Sequence, residues 1–259
     1  MALLMDTLKF TLVGGPTALL EIGTLRLLTD PTFDPPGTFP WAVTLTKNTG
    51  PALTREQVGA VNAVLLSHDQ HADNLDRSGR EFLSAASTVW TTPAGAQRLG
   101  KNAKGLAPWE TAELHSPDGR RFRVTATPAR HGPAGIEPIS GDVTGFVISS
   151  AEGQPLIYVT GDTVWFEGTA EVARRFPVKV VLLFAGAAQV RGPFHLTMDT
   201  NDALETAHHF PQAAIVPVHH QGWQHFTQNQ DDLVRTFAAL GIPDRLHHVF
   251  PGAPITIRL

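Results

Sequence analysis

The segment 63–76, AVLLSHDQHADNLD, constrains the fold of this chain more than any other. Its first four residues are apolar and predict a short buried strand, Ala63–Leu66. Two imidazoles and three carboxylates follow that strand within nine residues. A rigid strand that ends in such a cluster places metal-binding groups at the rim of a sheet. The alternative interpretation is a polar loop that caps a helix, with Asp73 or Asn74 as the N-cap.

Three later strands end in the same way. The predicted strands Phe122–Thr127, Leu156–Thr160 and Ala213–Val218 are followed by His131, Asp162 and His219, respectively. Each of these residues alone would be an ordinary loop or turn residue. Functional groups of α/β proteins collect where the carboxyl ends of strands open onto a crevice, so four such strand ends predict a metal site. Because the chain has no cysteine, the ligands must be His, Asp or Glu, a set that suits Zn, Mn or Fe.

The composition restricts the partners and the location of the protein. Lys and Arg total 20 against 24 Asp and Glu, and no basic run is present, so neither nucleic acid nor an anionic membrane surface is an expected partner. We expect a small-molecule substrate, and a homo-oligomer is compatible with the sequence. The segment Met1–Asp6 is too short for the apolar region of a secretory signal, because a charged residue already stands at Asp6. No apolar run approaches the length needed to cross a membrane. A cytoplasmic protein is therefore predicted.

The remaining patterns predict an α/β layer structure that forms a single domain over residues 1–259, because no linker interrupts it. The chain opens with a meander, and a pattern typical of a capping box at Thr54–Gln57 starts a short helix. Residues 101–121 are expected to be mostly loop, with a short strand at Glu113–His115. The other main predicted elements are the strands Leu8–Val13, Thr17–Ile22, Leu25–Thr29, Thr88–Thr91, Gly145–Ser149 and Val178–Phe184, and the helices Gly79–Ala86, Pro93–Leu99, Glu167–Phe176, Thr200–Phe210 and Gln230–Leu240.

On these residues the chain resembles the metallo-β-lactamase-fold hydrolases, near the branch that includes ascorbate-6-phosphate lactonase-like and phospholipase D-type members. Leu27–Pro31 is similar to the family's early LIDP strand, and Ser67–Asn74 corresponds to its HxHxDH segment. His131, Gly161-Asp162-Thr163 and Val218-His219 match the later metal-binding positions in the same order. The resemblance covers nearly the whole chain and implies a four-layer αβ/βα sandwich of the α/β (α+β) class.

The resemblance also implies a function. It predicts a metal-dependent hydrolase that uses a metal-bound hydroxide on a small ester, lactone or phosphodiester. One or two divalent ions would be bound, with zinc as the expected metal and Mn or Fe as alternatives. The implied ligands are His68, His71 and His131 for the first ion and His219 for the second, while Asp162 would bridge or orient the ions and Asp73 would hold the second ion or accept the proton of the water. Asp73 and His195 are the catalytic candidates, Asp73 to accept the proton of the water and His195 to contact the substrate or protonate the leaving group.

Two departures from the family pattern bear on the site. One extra residue between His68 and Asp73 leaves either Gln70 or His71 as the second ligand, and we predict His71 because imidazole binds transition metals better than a carboxamide does. The last His of the motif is replaced by Asn74, which weakens the second metal position. His220 or His195 could substitute there, although a supporting role is the expected one for each.

These departures keep two other functions open, a non-haem iron oxidoreductase on the same fold and a binding or regulatory protein with an eroded metal site.

Three tryptophans, Trp41, Trp165 and Trp223, are near the predicted ligand loops. They could line a pocket, but packing in the core is the expected role.

Overall fold

Two β-sheets packed face to face form the centre of the structure. The computed structural model describes residues 7–40 and 43–259. The first sheet has the order β15-β1-β2-β3-β6-β7-β8, the second has the order β14-β13-β12-β11-β10-β9, and β4 and β5 form a separate ribbon. The strands are β1 Thr7–Gly14, β2 Thr17–Ile22, β3 Leu25–Thr29, β4 Gly37–Phe39, β5 Leu45–Lys47, β6 Val61–Leu65, β7 Ala86–Thr91, β8 Ala103–Gly105, β9 Thr111–His115, β10 Arg121–Pro128, β11 Thr144–Ser150, β12 Pro155–Val159, β13 Val180–Phe184, β14 Ala214–Val218 and β15 Pro254–Arg258.

The central strands are apolar on both faces because each sheet is covered on both faces. In β6, Ala63 and Leu65 lie in the cluster between the two sheets, whereas Val64 lies in the cluster on the outer face of the first sheet. In β13, Leu182 packs between the sheets and Leu183 packs on the outer face of the second sheet. Side chains alternate between the two faces of a strand, so the uninterrupted apolar runs of the sequence fit only strands with two covered faces.

Helices cover the outer faces of both sheets. The helices are α1 Arg55–Val58, α2 Arg77–Phe82, α3 Pro93–Leu99, α4 Glu137–Ser140, α5 Glu167–Arg175, α6 Thr200–His209 and α7 Gln230–Ala239, and 3₁₀ turns occupy Leu83–Ala85 and Pro243–Arg245. Val58 and Phe82 pack on the first sheet, while Val172, Ala203 and Phe237 pack on the second. The order of layers is therefore helix, sheet, sheet, helix, which confirms the predicted αβ/βα sandwich.

Several local predictions differ from the structure. In the segment 101–121, the strand expected at Glu113–His115 forms the last three residues of β9, whereas β8 and the start of β9 are too short and too polar to show a strand pattern. Helix α4 lies in a connection rich in Gly and Pro, where the sequence does not predict a helix. The N-cap of α2 is Asp76, whose carboxylate accepts from the Gly79 backbone N–H, so the alternative N-caps Asp73 and Asn74 are wrong. The capping box at Thr54 and Gln57 is confirmed.

The strand directions bring the predicted ligand positions to one edge of the sandwich. Strands β12, β13 and β14 are parallel, and β10 has the same direction because it and β12 are both antiparallel to β11. Their carboxyl ends therefore open on the same edge. In the first sheet β3 and β6 are parallel, so the residues that follow them also lie side by side.

In the parts of the chain that the structure describes, no helix has the length and apolar character needed to cross a membrane.

Candidate metal centre

Three imidazoles meet at the edge of the sandwich. His68 follows β6 and His131 follows β10, and the His71 ring contacts both. His71 Nδ1 lies 2.8 Å from His68 Nε2 and 3.2 Å from His131 Nε2. One nitrogen from each ring lies within 4.8 Å of the others, a spacing that would allow all three to bind one metal ion.

Hydrogen bonds behind these rings fix which nitrogen faces the centre. The Ser67 hydroxyl donates to Asp30 Oδ1 at 2.6 Å, so it accepts from His68 Nδ1, which is 2.9 Å away. His131 Nδ1 donates to the Leu196 carbonyl at 2.8 Å. In both rings Nε2 is therefore left with its lone pair towards the cluster. Such outer hydrogen bonds orient the imidazole ligands of metal sites and raise their basicity.

A second group of side chains lies beside the first and consists of Asp73, Asp162 and His219. His219 Nδ1 donates to Asp162 Oδ1 at 2.8 Å, and its Nε2 lies 3.4 Å from Asp73 Oδ2. Asp162 Oδ2 is 3.6 Å from His131 Nε2, so this carboxylate faces both groups. The His219 backbone has a φ of 55° and its N–H donates to the Gly15 carbonyl at 2.9 Å. A left-handed conformation at a non-glycine residue is strained and is typical of functional sites.

The electrostatics of the two groups differ. Burial, followed by the neighbouring His71, lowers the pKa of His68 well below its usual value, and burial with His131 lowers the pKa of His71 to about 4. These rings are therefore neutral at pH 7. Burial also disfavours a charged ring at His219, but the carboxylates of Asp162 and Asp73 outweigh it and raise the pKa of His219 to about 10.

These features fit a divalent cation. Neutral imidazoles with lone pairs directed at a common point are the form in which histidine binds metals. His219 Nε2 and Asp73 Oδ1 are buried without a hydrogen-bond partner, which is costly unless another group satisfies them. The two carboxylates that hold a proton on His219 would equally hold a cation.

The contacts of Gln70, His71, Asn74 and His195 bear on the ligand and catalytic roles considered for them. The Gln70 side chain donates to Asp142 Oδ1 at 2.8 Å, whereas His71 lies in the imidazole group. Asn74 is fully buried, and neither its amide oxygen nor its amide nitrogen has a hydrogen-bond partner. His195 Nδ1 pairs with Asp199 Oδ2 at 3.0 Å, and His195 is absent from the described lining of the cavity beside the centre. Its catalytic role stays a prediction, as do the ligand roles of the other residues.

Sequence reasoning missed one residue of the centre. His225 Nε2 lies 3.0 Å from Asp73 Oδ2, across 152 positions of the chain. His225 is a further imidazole in the loop after β14, six residues beyond His219. Its position shortly after His219 is the only signal in the sequence. The residues around Trp223 and His225 form no pattern that would identify His225 as a ligand.

A cavity of about 260 Å³ opens onto the centre. His71, Asp73, His131 and His225 lie on one side of it. Most of the other lining side chains are apolar: Phe39, Val43, Leu45, Ala72, Ile136, Pro138, Ile139, Ala188, Val190 and Leu196. Arg191 is the only Lys or Arg among the described lining residues.

The tryptophans near the ligand loops do not line this cavity where the structure describes them. Trp223 is 3 % exposed and packs against Phe39, and Trp165 packs against His209 and the outer face of the second sheet. Both therefore have the packing role expected from the sequence. Trp41 lies outside the described residues.

Fold and site together define a metallo-β-lactamase-type metal-dependent hydrolase. The family model described as "Beta-lactamase superfamily domain" matches residues 25–220, and the chain belongs to that superfamily. It is 26 % identical over 177 residues to the UPF0173 protein YddR of Bacillus subtilis (strain 168), a match that covers 67 % of each protein.

The solved structures that share the fold include two with TM-scores above 0.8. One is the isothiocyanate hydrolase from Delia radicum gut bacteria, with a TM-score of 0.82, 24 % identity and coverage of 97 % of this chain and 100 % of the other. The second is a "possible metal-dependent hydrolase" from Veillonella parvula DSM 2008, with a TM-score of 0.81, 20 % identity and coverage of 95 % and 98 %. Of the three functional classes that the sequence left open, membership of this superfamily supports the metal-dependent hydrolase.

Proposed function

We propose that this protein hydrolyses a small, uncharged and largely apolar ester or lactone at a two-metal centre. The observation that carries the proposal is the cavity of about 260 Å³, whose apolar walls end on His71, Asp73 and His131. Binding sites for small molecules typically combine an apolar wall with a few convergent polar groups. A substrate in this cavity would have its reacting carbon beside the candidate ligands.

In this proposal the two groups of side chains hold one divalent ion each, and zinc is the proposed metal. Three imidazoles, those of His68, His71 and His131, are a ligand set that catalytic zinc sites use. Asp73, Asp162 and His219 would hold the second ion, with Asp162 between the two. When bound, the ions would lower the pKa of a water molecule from about 15.7 towards 7 and polarise a carbonyl oxygen.

The chain's own residues would orient the ligands and handle protons. Ser67 and the Leu196 carbonyl hold the rings of His68 and His131 in the tautomer that leaves Nε2 free. Asp73 is the candidate to accept the proton of the attacking water, because its Oδ1 is buried without a partner at the side of the cavity. The apolar residues Ile136 and Leu196 would exclude bulk water and strengthen these interactions.

The walls of the cavity favour an uncharged substrate over an anionic one. A phosphodiester carries a full negative charge, and among the described lining residues only Arg191 could pair with it as Lys or Arg. An ester or lactone needs no such pairing. Because a structurally similar protein is named an isothiocyanate hydrolase, an isothiocyanate is a further uncharged electrophile to include among the test substrates.

The test is hydrolysis of matched substrates by the metal-free and the zinc-loaded protein. We expect turnover of short aryl or alkyl esters and lactones, loss of turnover after chelation, and its return when zinc is added. Bis(4-nitrophenyl) phosphate is the anionic comparison and should be turned over at least ~100-fold more slowly, about 2.7 kcal/mol in transition-state binding. Preference for the phosphodiester would contradict the proposed substrate class, and failure of the protein to bind metal would contradict the proposal as a whole.

The apolar wall provides a mutational test of the substrate class. Ile139 lines the cavity and is 57 % exposed, so Ile139→Asp should fold normally. We expect kcat/KM for an apolar ester to fall about tenfold, mostly through KM, because one or two methylene contacts are lost and a charge is introduced. Phe250→Asp is the matched control, since Phe250 is 60 % exposed and is not among the cavity residues. Equal kinetics for the two variants would show that the substrate does not use this wall.

A further inference from the structure

We propose that His225 is a ligand of the second metal ion and supplies the imidazole that Asn74 does not provide. The inference rests on the proposed metal centre and concerns a residue that lies outside the sequence motif. Its basis is the convergence of His225 and His219 on one carboxylate.

Two imidazole nitrogens approach the same oxygen of Asp73. His225 Nε2 is 3.0 Å and His219 Nε2 is 3.4 Å from Asp73 Oδ2, while Asp73 Oδ1 has no partner. A cation held by Asp73 and His219 would thus have the nitrogen of His225 within reach. The other ring nitrogen of His225, Nδ1, is buried and has no hydrogen-bond partner, while Nε2 donates to Asp73, so Nε2 is the nitrogen that the ring would present to a cation bound there.

The His225 ring is held in position by its surroundings. The His225 carbonyl accepts from the Gln189 N–H at 3.0 Å, and the preceding Gln224 N–H donates to the Thr46 carbonyl at 3.0 Å. The ring packs against Phe226 at 4.6 Å between centroids. A ligand fixed in this way loses little conformational entropy when a metal binds.

The alternative substitutes are less suited to this position. The carboxamide of Asn74 is a weaker ligand for zinc than an imidazole. His195 is engaged with Asp199. Neither ring nitrogen of His220 has a hydrogen-bond partner, but His220 is absent from the described cavity residues that adjoin Asp73.

The proposed ligand set completes the second position. Asp73, Asp162, His219 and His225 would give the second ion four protein ligands, the number typical of a closed zinc site. The first ion would be held by the three imidazoles of the first group, with Asp162 facing both groups. Loss of His225 should therefore affect the second ion and spare the first.

The experiment measures metal stoichiometry and affinity. Metal-free wild-type protein and His225→Ala are titrated with Zn²⁺ by calorimetry, and bound metal is counted by elemental analysis after desalting. We expect two ions per wild-type chain and one tightly bound ion in His225→Ala, with the second Kd raised at least ~100-fold, beyond the usual effect of losing an outer hydrogen-bond partner. His225→Gln, which keeps most of the side-chain volume, should behave in the same way, and thermal unfolding of the metal-free variants checks their folding.

Two control variants test whether the loss of the second ion is specific to His225. His115→Ala removes an exposed imidazole on β9 and should retain two ions. Asn74→Ala should also retain two ions, and loss of the second ion there would overturn the inference, as would two tightly bound ions in His225→Ala. A wild-type protein that binds a single ion would overturn it while leaving a one-metal hydrolase intact. A wild-type protein that binds no ion would overturn the proposed function as well.

Discussion

Replacing Asp162 with alanine is expected to remove both metal ions and to lower ester hydrolysis by at least ~10³-fold. Asp162 Oδ1 accepts from His219 Nδ1 at 2.8 Å, and its Oδ2 lies 3.6 Å from His131 Nε2. It is therefore the one carboxylate with an oxygen towards each of the two described groups. A divalent ion supplies several kcal/mol of transition-state stabilisation, and each 1.36 kcal/mol is worth a factor of ten in rate.

Metal content and kcat/KM should both be measured for this variant, together with its thermal unfolding. Asp162→Asn keeps the shape of the side chain but removes its charge, and we expect it to lose metal and activity as well. Glu113→Ala removes an exposed carboxylate on β9 and is the matched control. If Asp162→Ala retained two ions and wild-type kcat/KM, Asp162 would have no role at the centre.

Replacing Asp76 with alanine is expected to lower the free energy of unfolding by about 3–5 kcal/mol, the cost of breaking a buried ion pair. The fully buried Asp76 carboxylate lies 3.1 Å from Lys47 Nζ, and it accepts from the backbone N–H groups of Phe33, Asp34 and Gly79 at 3.0, 2.7 and 2.8 Å. Alanine would leave the buried Lys47 ammonium unpaired and remove the N-cap of α2, which alone is worth ~1 kcal/mol.

Denaturant unfolding measures this effect as a shift of the midpoint at constant m-value. The surface control is Glu81→Ala, which breaks the exposed ion pair with Arg55 and should cost less than ~1 kcal/mol. Lys47→Met should cost less than Asp76→Ala, because the carboxylate would keep its three backbone donors. A larger loss in Lys47→Met would mean that the cation, and not the backbone donors, governs the stability of this cluster.

Much of the fold could be predicted because its determinants are local. Apolar runs such as Val180–Phe184 identify strands covered on both faces, and the Thr54 and Gln57 pair identifies the start of a helix. The strands β8 and β9 were not recognised in full, since they are short and half-exposed at the edges of their sheets. Pairing with a neighbouring strand, not their own pattern, determines their conformation.

The residues of the candidate site also differ in how far the sequence could predict them. His68, His131, Asp162 and His219 could be predicted because each follows a strand whose end lies at one edge, and parallel strands bring such residues together. The choice between Gln70 and His71 could not be made by counting residues. In the structure Gln70 is bonded to Asp142, and the nitrogen of His71 is 2.8 Å from that of His68.

By itself, the sequence determined the layered α/β fold, the order of the candidate ligands and the absence of thiolate ligands, because these depend on residue types and on periodic burial along short segments. Only the tertiary structure brought His225 to Asp73, across 152 positions, and formed the apolar cavity from distant loops. The conformation of such loops depends on packing between elements far apart in the chain, and that information is not contained in any local pattern.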